Sequence, residues 1–164
     1  MNGQEVILTE MLACRERRVN IQNEYIQKYH LPVISFCMNI PGPIKTNDQI
    51  RNAFLSGKET LFLSLKKENI AVLDQIEFHD KTGDELILAA DCPAEHLKEM
   101  TTNIEEKHPF GRLFDMDVIG TDGEKLSRGI YRKCLICGCQ AQECARSRKH
   151  TIAEMQAKIE EMLS

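Results

Sequence analysis

The chain has 164 residues, 42% of them hydrophobic and 28% charged, with a net charge of −4. That is the length and make-up of one globular domain, 1–164, able to bury a core without staples. No apolar run nears the ~18 residues of a membrane span, and the mixture of Glu, Arg and apolar residues from Met1 to Arg18 does not read as an export signal. A cytoplasmic protein with no membrane partner is expected, and an acidic chain argues against a general nucleic-acid binder.

Residues 9–30 read as a long helix ended by Pro32, with Leu12, Val19, Ile26 and Tyr29 as its apolar stripe and Arg15, Arg18 and Gln22 sharing another face. Residues 33–40 are an apolar run of strand length leading into the rigid turn Pro41-Gly42-Pro43-Ile44-Lys45. Thr46 or Asn47 can cap the next helix, which runs to about Lys67 and buries Ile50, Phe54, Leu61 and Leu65. Two strands, 70–79 and 85–91, follow around a Gly-containing turn. A third helix starts at Cys92-Pro93, with Pro at its first position, and faces its core with Leu97, Met100 and Ile104 until His108-Pro109. His108 is a candidate general base, although a loop histidine is more often structural. Residues 112–119 form the next strand, and Thr121-Asp122-Gly123 predicts a hairpin to a short partner strand at 124–130. The last helix begins at Thr151, whose spacing to Glu154 is that of a capping box, and lines its buried face with Ile152, Met155, Ile159 and Met162. This order predicts an α+β domain, its mixed or antiparallel sheet packed by helices. No GxGxxG or P-loop occurs.

Charge and cysteine are both concentrated late in the chain. Residues 125–150 hold Lys125, Arg128, Arg132, Lys133, Arg146, Arg148 and Lys149 against the single acid Glu143. A basic segment on an acidic body suggests an anionic ligand or partner held locally. Four of the seven cysteines fall in the same stretch, and their odd number disfavours a disulfide framework. Within the Cys-rich segment 130–150, Cys134-x2-Cys137-x6-Cys144-x5-His150 has the ligand types and count of a structural Zn²⁺ site, with Cys139 as a rival ligand.

The sharpest chemical feature is Asp115 and Asp117. Alternate residues of a strand share a face, so the two acids are neighbours while Phe114, Met116 and Val118 turn to a core. Two acids beside buried positions are costly unless a cation or hydrogen bonds neutralise them, and a hard cation such as Mg²⁺ characteristically joins carboxylates to substrate phosphates. A solvent-exposed strand face with two ordinary acids is the competing reading. Asp115-Met116-Asp117-Val118 resembles the metal signature of nucleotidyltransferases, although their Gly-Ser pair is absent, Ser56-Gly57 being reversed and distant. Lys45 before a helix start can meet phosphate oxygens, and Arg112 and Arg128 suit the same anion through their bidentate forks.

Taken in order, several segments of the sequence resemble the apo-citrate lyase phosphoribosyl-dephospho-CoA transferase family. They are Arg15-Glu16-Arg17-Arg18, Pro41-Gly42-Pro43-Ile44-Lys45, Gly111-Arg112-Leu113-Phe114-Asp115-Met116-Asp117-Val118, Leu126-Ser127-Arg128, Arg132-Lys133-Cys134-Leu135-Ile136-Cys137 and Cys144-Ala145-Arg146 through His150. The resemblance spans about residue 5 to 163. It implies a nucleotidyltransferase-like fold and transfer of phosphoribosyl-dephospho-CoA from 2′-(5″-triphosphoribosyl)-3′-dephospho-CoA to a serine of the citrate lyase acyl carrier protein (gamma chain), with release of diphosphate. In that reading Asp115 and Asp117 hold Mg²⁺, Lys45 and Arg112 act with them, and Arg128, Gly42, Arg15 and Arg18 bind the donor. The third acid of such a site is left open among Glu77, Glu85 and Asp91. The rival readings are a zinc-bound, non-enzymatic interaction module contacting partners through 130–150, and the equivalent transferase for a malonate decarboxylase carrier.

Overall fold

The computed structural model describes residues 1–164. Its strands are β1 (Val33–Met38), β2 (Val72–Asp80), β3 (Gly83–Ala90) and β4 (Phe114–Ile119), and its helices are α1 (Leu8–Tyr29), α2 (Asp48–Lys67), α3 (Ala94–Lys107), α4 (Ala141–Ser147) and α5 (Ile152–Leu163). The strands form one antiparallel sheet in the order β2-β3-β1-β4, which settles the predicted α+β class in its antiparallel form. No helix is long and apolar enough to cross a membrane.

Strand alternation gives the sheet two unlike faces. On one face Ile34, Phe36, Leu86, Leu88, Phe114, Met116 and Val118 meet Phe54, Leu61 and Leu65 of α2 and Leu97, Met100 and Ile104 of α3, forming the main core. On the other, α1 lays Tyr25 over Val33, Ile87 and Ala89. That helix packs on β1 and β3, while β4 lies at the sheet's edge beyond them. A third cluster, Ile40, Ile50, Leu113 and Ile159, fastens α5 to the body.

An exposed strand edge must satisfy its outward peptide groups. Here α3 supplies the partners: the Met116 amide donates to Glu105 Oε2 at 3.0 Å, and Lys98 Nζ stands 3.5 Å from the Met116 carbonyl. Both side chains are buried.

Several expectations are corrected. Of the predicted stripe of α1, Ile26 and Tyr29 pack against the sheet, but Leu12 and Val19 are 52% and 50% exposed. Toward the start of the helix the inward residues are Cys14 and Arg18, with Arg17 and Arg18 paired to the buried Glu85 and Cys14 Sγ donating to it at 3.2 Å. Pro93 is the extended cap of α3 and not its first turn. Residues 111–113 make a 3-10 turn before β4 begins. No strand forms at 124–130; only Lys125 bridges back, to Ile119. The short α4 inside the cysteine segment was not anticipated. Ile152 is exposed, leaving Ile159 as the buried anchor of α5. The capping box at Thr151 and Glu154 is present, and Asn47 caps α2 by accepting from the Ile50 amide at 2.9 Å. Thr46 instead donates to the buried Asp84, which also meets Arg51 at 2.9 Å and His79 at 2.7 Å.

Gly57 sets how closely α2 approaches the sheet. A Cβ there would lie 2.6 Å from Phe114 Cζ and 2.9 Å from Phe36 Cζ. Alanine favours a helix over glycine by about 1 kcal/mol, whereas overpacking costs roughly 1–3 kcal/mol. Gly57→Ala is therefore expected to lose about 1 kcal/mol in urea unfolding, and a more stable variant would contradict this close packing.

Candidate active site

Asp115 and Asp117 lie opposite Cys37 and Ser35 of β1, on the sheet face away from the main core, as predicted. The edge position of β4 leaves both half-buried. Burial first, and then the charge of Asp117, pushes Asp115 up to about 6. Lys125 Nζ is the nearest cation, 3.1 Å from Asp117 Oδ2. It is delivered by the turn after β4, where the Gly120 amide donates to the Glu124 carbonyl and Gly123 adopts φ 83°.

Beside the acids opens a cleft of about 520 Å³ lined also by Arg112, Arg128, Arg132, Lys125, Glu105 and Asn39. Three guanidiniums thus share one wall. Arg112 Nε donates to the Lys133 carbonyl at 2.7 Å, and Arg132 Nη2 to the Gly111 carbonyl at 2.7 Å. Burial and mutual repulsion lower the affinity of Arg112 for its proton; burial does the same for Arg132, against the pull of Glu105. Arg128 Nη2 bonds Glu106 at 2.6 Å and stands 3.5 Å from Glu105, but its Nε and Nη1 are buried without a partner. Unpaired buried N–H groups on a cation are costly. A phosphate, with oxygens matched to guanidinium forks, satisfies such groups. Carboxylates on one side and arginines on the other are the elements of a site for a cation-bound polyphosphate.

Other predicted residues lie around this centre in different roles. Lys45 Nζ donates to the Ile40 carbonyl at 2.7 Å, and burial lowers its proton affinity, with Arg15 adding repulsion. Arg15 is exposed, while Arg18 is turned inward onto Glu85. These three lie toward α1 and Cys37, outside the cleft's lining. Gly42 faces α5: a Cβ there would lie 2.5 Å from Gln156 Nε2, and its φ is 88°. Of the acids left open, Glu85 shares the Asp115 face, with Cys37 between them in register; its carboxylate is held by Arg17, Arg18 and Cys14. Cys37, 4.0 Å from Asp115 Oδ2, is pushed up to about 12 by burial and by Asp115, and stays a thiol. His108 accepts from the Phe110 amide at Nδ1, which leaves Nε2 to donate to Ser56 Oγ at 3.0 Å; that arrangement is structural.

The residues missed from sequence are Arg132, Glu105, Lys98 and Lys125. Lys125 was visible only as a member of a basic segment, Arg132 as that and as part of a family-like segment with no role given, and Glu105 and Lys98 carried no signal beyond a polar helix position. The cysteine motif, in contrast, converges as predicted: ligand atoms of Cys134, Cys137, Cys144 and His150 all lie within 4.8 Å of one another, and Cys139 stands outside the group. A second cavity of about 780 Å³ borders this motif and shares Asn39, Arg112 and Ala141 with the cleft, adding apolar Leu113, Leu135, Ile152 and Met155.

The family model described as apo-citrate lyase phosphoribosyl-dephospho-CoA transferase matches residues 6–164. A transferase of that name from Citrobacter koseri is 35% identical over 162 residues, covering 96% of this chain and 88% of that protein. A probable transferase of the same name from Vibrio cholerae serotype O1 is 37% identical, covering 96% and 91%. The one from Escherichia coli O157:H7 is 33% identical over 163 residues, covering 97% and 89%.

Folded Asp115 keeps its proton to a higher pH than the unfolded chain does, so stability is lost as pH rises from the ordinary carboxylate range through about 6, and the full cost is present above that. Asp115→Asn should therefore be more stable than the parent by about 1–2 kcal/mol at pH 8 without divalent cations. The gain should vanish below about pH 4, where both states hold the proton. Equal stability at pH 8 in urea titrations would mean that the protein already satisfies this carboxylate.

Proposed function

Because the chain belongs to the apo-citrate lyase phosphoribosyl-dephospho-CoA transferase family, we propose that it transfers the phosphoribosyl-dephospho-CoA group to apo-citrate lyase. The donor in this reading is 2′-(5″-triphosphoribosyl)-3′-dephospho-CoA. The acceptor is a serine of the acyl carrier protein, the gamma chain. The serine oxygen forms a bond to the phosphorus next to the ribose, the bond from that phosphorus to the outer diphosphate breaks, and diphosphate leaves.

The observation that carries this mechanism is the placement of the acid pair and three arginines on one cleft. The donor set fits Mg²⁺: two carboxylates on one strand face, Asp115 raised by burial and by its neighbour, with one lysine set against Asp117. Bound there, Mg²⁺ supplies charge neutralisation for the in-line displacement. Arg112, Arg128 and Arg132 hold the phosphate chain and offset the charge that gathers on the departing diphosphate. Arg128, which lines the cleft, has two buried N–H groups without a protein partner, which supports this role. Lys45, Arg15 and Arg18 form a second basic rim on the α1 side of Asp115. Acyl carrier proteins are generally acidic, so the basic 125–150 segment serves as their landing surface. This reading assigns the reaction to the cytoplasm, where the odd number of seven cysteines would stay reduced. The non-enzymatic module is disfavoured, since the matched relatives are named as transferases of citrate lyase.

The test is mass spectrometry of the apo-carrier after incubation with the chain, the triphosphate donor and Mg²⁺. The carrier should gain the mass of one phosphoribosyl-dephospho-CoA group, and an unchanged carrier refutes the activity. Asp115→Asn and Asp117→Asn should each slow transfer by about 100-fold or more, the scale of losing one charge-stabilising group. Near-normal turnover in either folded variant would remove the metal role. Arg132→Ala should lose roughly 10–100-fold in kcat/KM for the donor.

A further inference from the structure

Residues 121–150 have a defined backbone and almost no core. Only one side chain in that stretch, Cys144, is buried. Ile130 and Tyr131 are 59% and 77% exposed. Apolar burial does not hold such a segment. The chain nonetheless makes a bridge between Lys133 and Gln140, a turn closed by the Gly138 amide on the Cys134 carbonyl, and the short α4, ended by Arg148 in the left-handed conformation.

What these turns accomplish is convergence. They bring Cys134 and Cys137 of the loop, Cys144 of α4 and His150 beyond it onto one point, with all ligand atoms within 4.8 Å of one another. Two of the sulfurs, Cys137 and Cys144, are already 3.4 Å apart. A tetrahedral zinc with bonds of 2.3 Å to sulfur spaces its sulfur ligands about 3.8 Å from each other, so the group needs little adjustment. The Ile136 amide points at Cys134 Sγ from 3.4 Å, the kind of donor that steadies a metal-bound thiolate. His150 Nε2 is buried with no hydrogen-bond partner. Lys149 lies close enough to Cys137 and Cys144 for their thiolate charge to raise its proton affinity.

The geometry points to a structural Zn²⁺ site formed by Cys134, Cys137, Cys144 and His150. Its four protein ligands leave no open position, so it supplies folding energy and no chemistry. It stands in for the core that this segment lacks. The folded segment brings Arg132, Gln140 and Ala141 to the cleft, and its Lys133 carbonyl holds Arg112. The zinc therefore maintains the arginine wall from a distance.

Untagged protein purified under reducing conditions should carry one zinc per chain by elemental mass spectrometry. Cys139→Ser should keep it, whereas Cys144→Ser and His150→Asn should lose it. Because those two variants can unfold the segment, the parent chain is also stripped with chelator and titrated with Co²⁺. Visible bands of tetrahedral thiolate–cobalt should saturate at one equivalent, and Zn²⁺ should bleach them. The stripped chain should be cut by protease within 121–150 while the sheet persists. Zinc far below one per chain together with featureless cobalt spectra would overturn the site. So would a Cys137–Cys144 disulfide, seen as the loss of two hydrogens, in freshly isolated protein. None of these readouts needs transferase activity, so the zinc site and the catalytic reading fail independently.

Discussion

The structure turns on how the edge of its sheet is finished. Met116 offers its amide outward, and a buried carboxylate, Glu105, accepts it. A buried carboxylate needs opposing charge nearby, and Arg128 and Arg132 provide it at 3.5 and 3.8 Å. Those guanidiniums line the cleft beside Asp115 and Asp117. One hydrogen bond that stops further strand pairing thus also decides where the arginines stand. The alternation of β4 does the rest: Phe114, Met116 and Val118 close the core, and Asp115, Asp117 and Ile119 face the opposite side.

The site is held in a state of unresolved charge. Burial and the charge of Asp117 push Asp115 up, and burial lowers the proton affinity of Arg112 and Arg132. Electrostatic preorganisation of this kind costs stability in the free protein and is recovered when a ligand of matching charge arrives. The protein limits the cost by saturating Glu85 with Arg17 and Arg18 and by keeping Cys37 a neutral thiol between Glu85 and Asp115.

Local rules made part of this legible. Period two in residues 114–119 separated the acids from the core side chains, and ligand spacing identified the cysteine group. Thr151 and Glu154 declared a helix start. Where the reading failed, a distant partner was responsible. Leu12 and Val19 drew the stripe of α1 toward apolar residues, but the true inward face carries Arg18, which hydropathy places outside and Glu85 draws in. Glu105 and Lys98 look like solvent positions until β4 lies beside them. The Thr121-Asp122-Gly123 turn is real, yet the following residues lack the alternation of a strand, and one bridge at Lys125 is all that forms. Lys45 and Gly42, read as a phosphate cradle from their place before a helix, also have structural contacts no local rule shows: Lys45 with the Ile40 carbonyl and Gly42 with α5.

The third cluster, in which Ile159 of α5 joins Ile40, Ile50 and Leu113, bears on how the chain is made. Synthesis is vectorial, and earlier parts can fold while later ones are still being added. All four strands have been translated by Ile119, with both acids in place. The arginines at 128 and 132 follow, then the cysteine segment, and Ile159 comes later still. On the ribosome, then, a sheet bearing the acid pair precedes two of the three guanidiniums that line the cleft beside it. The nascent chain carries its paired carboxylates before most of the positive charge that faces them.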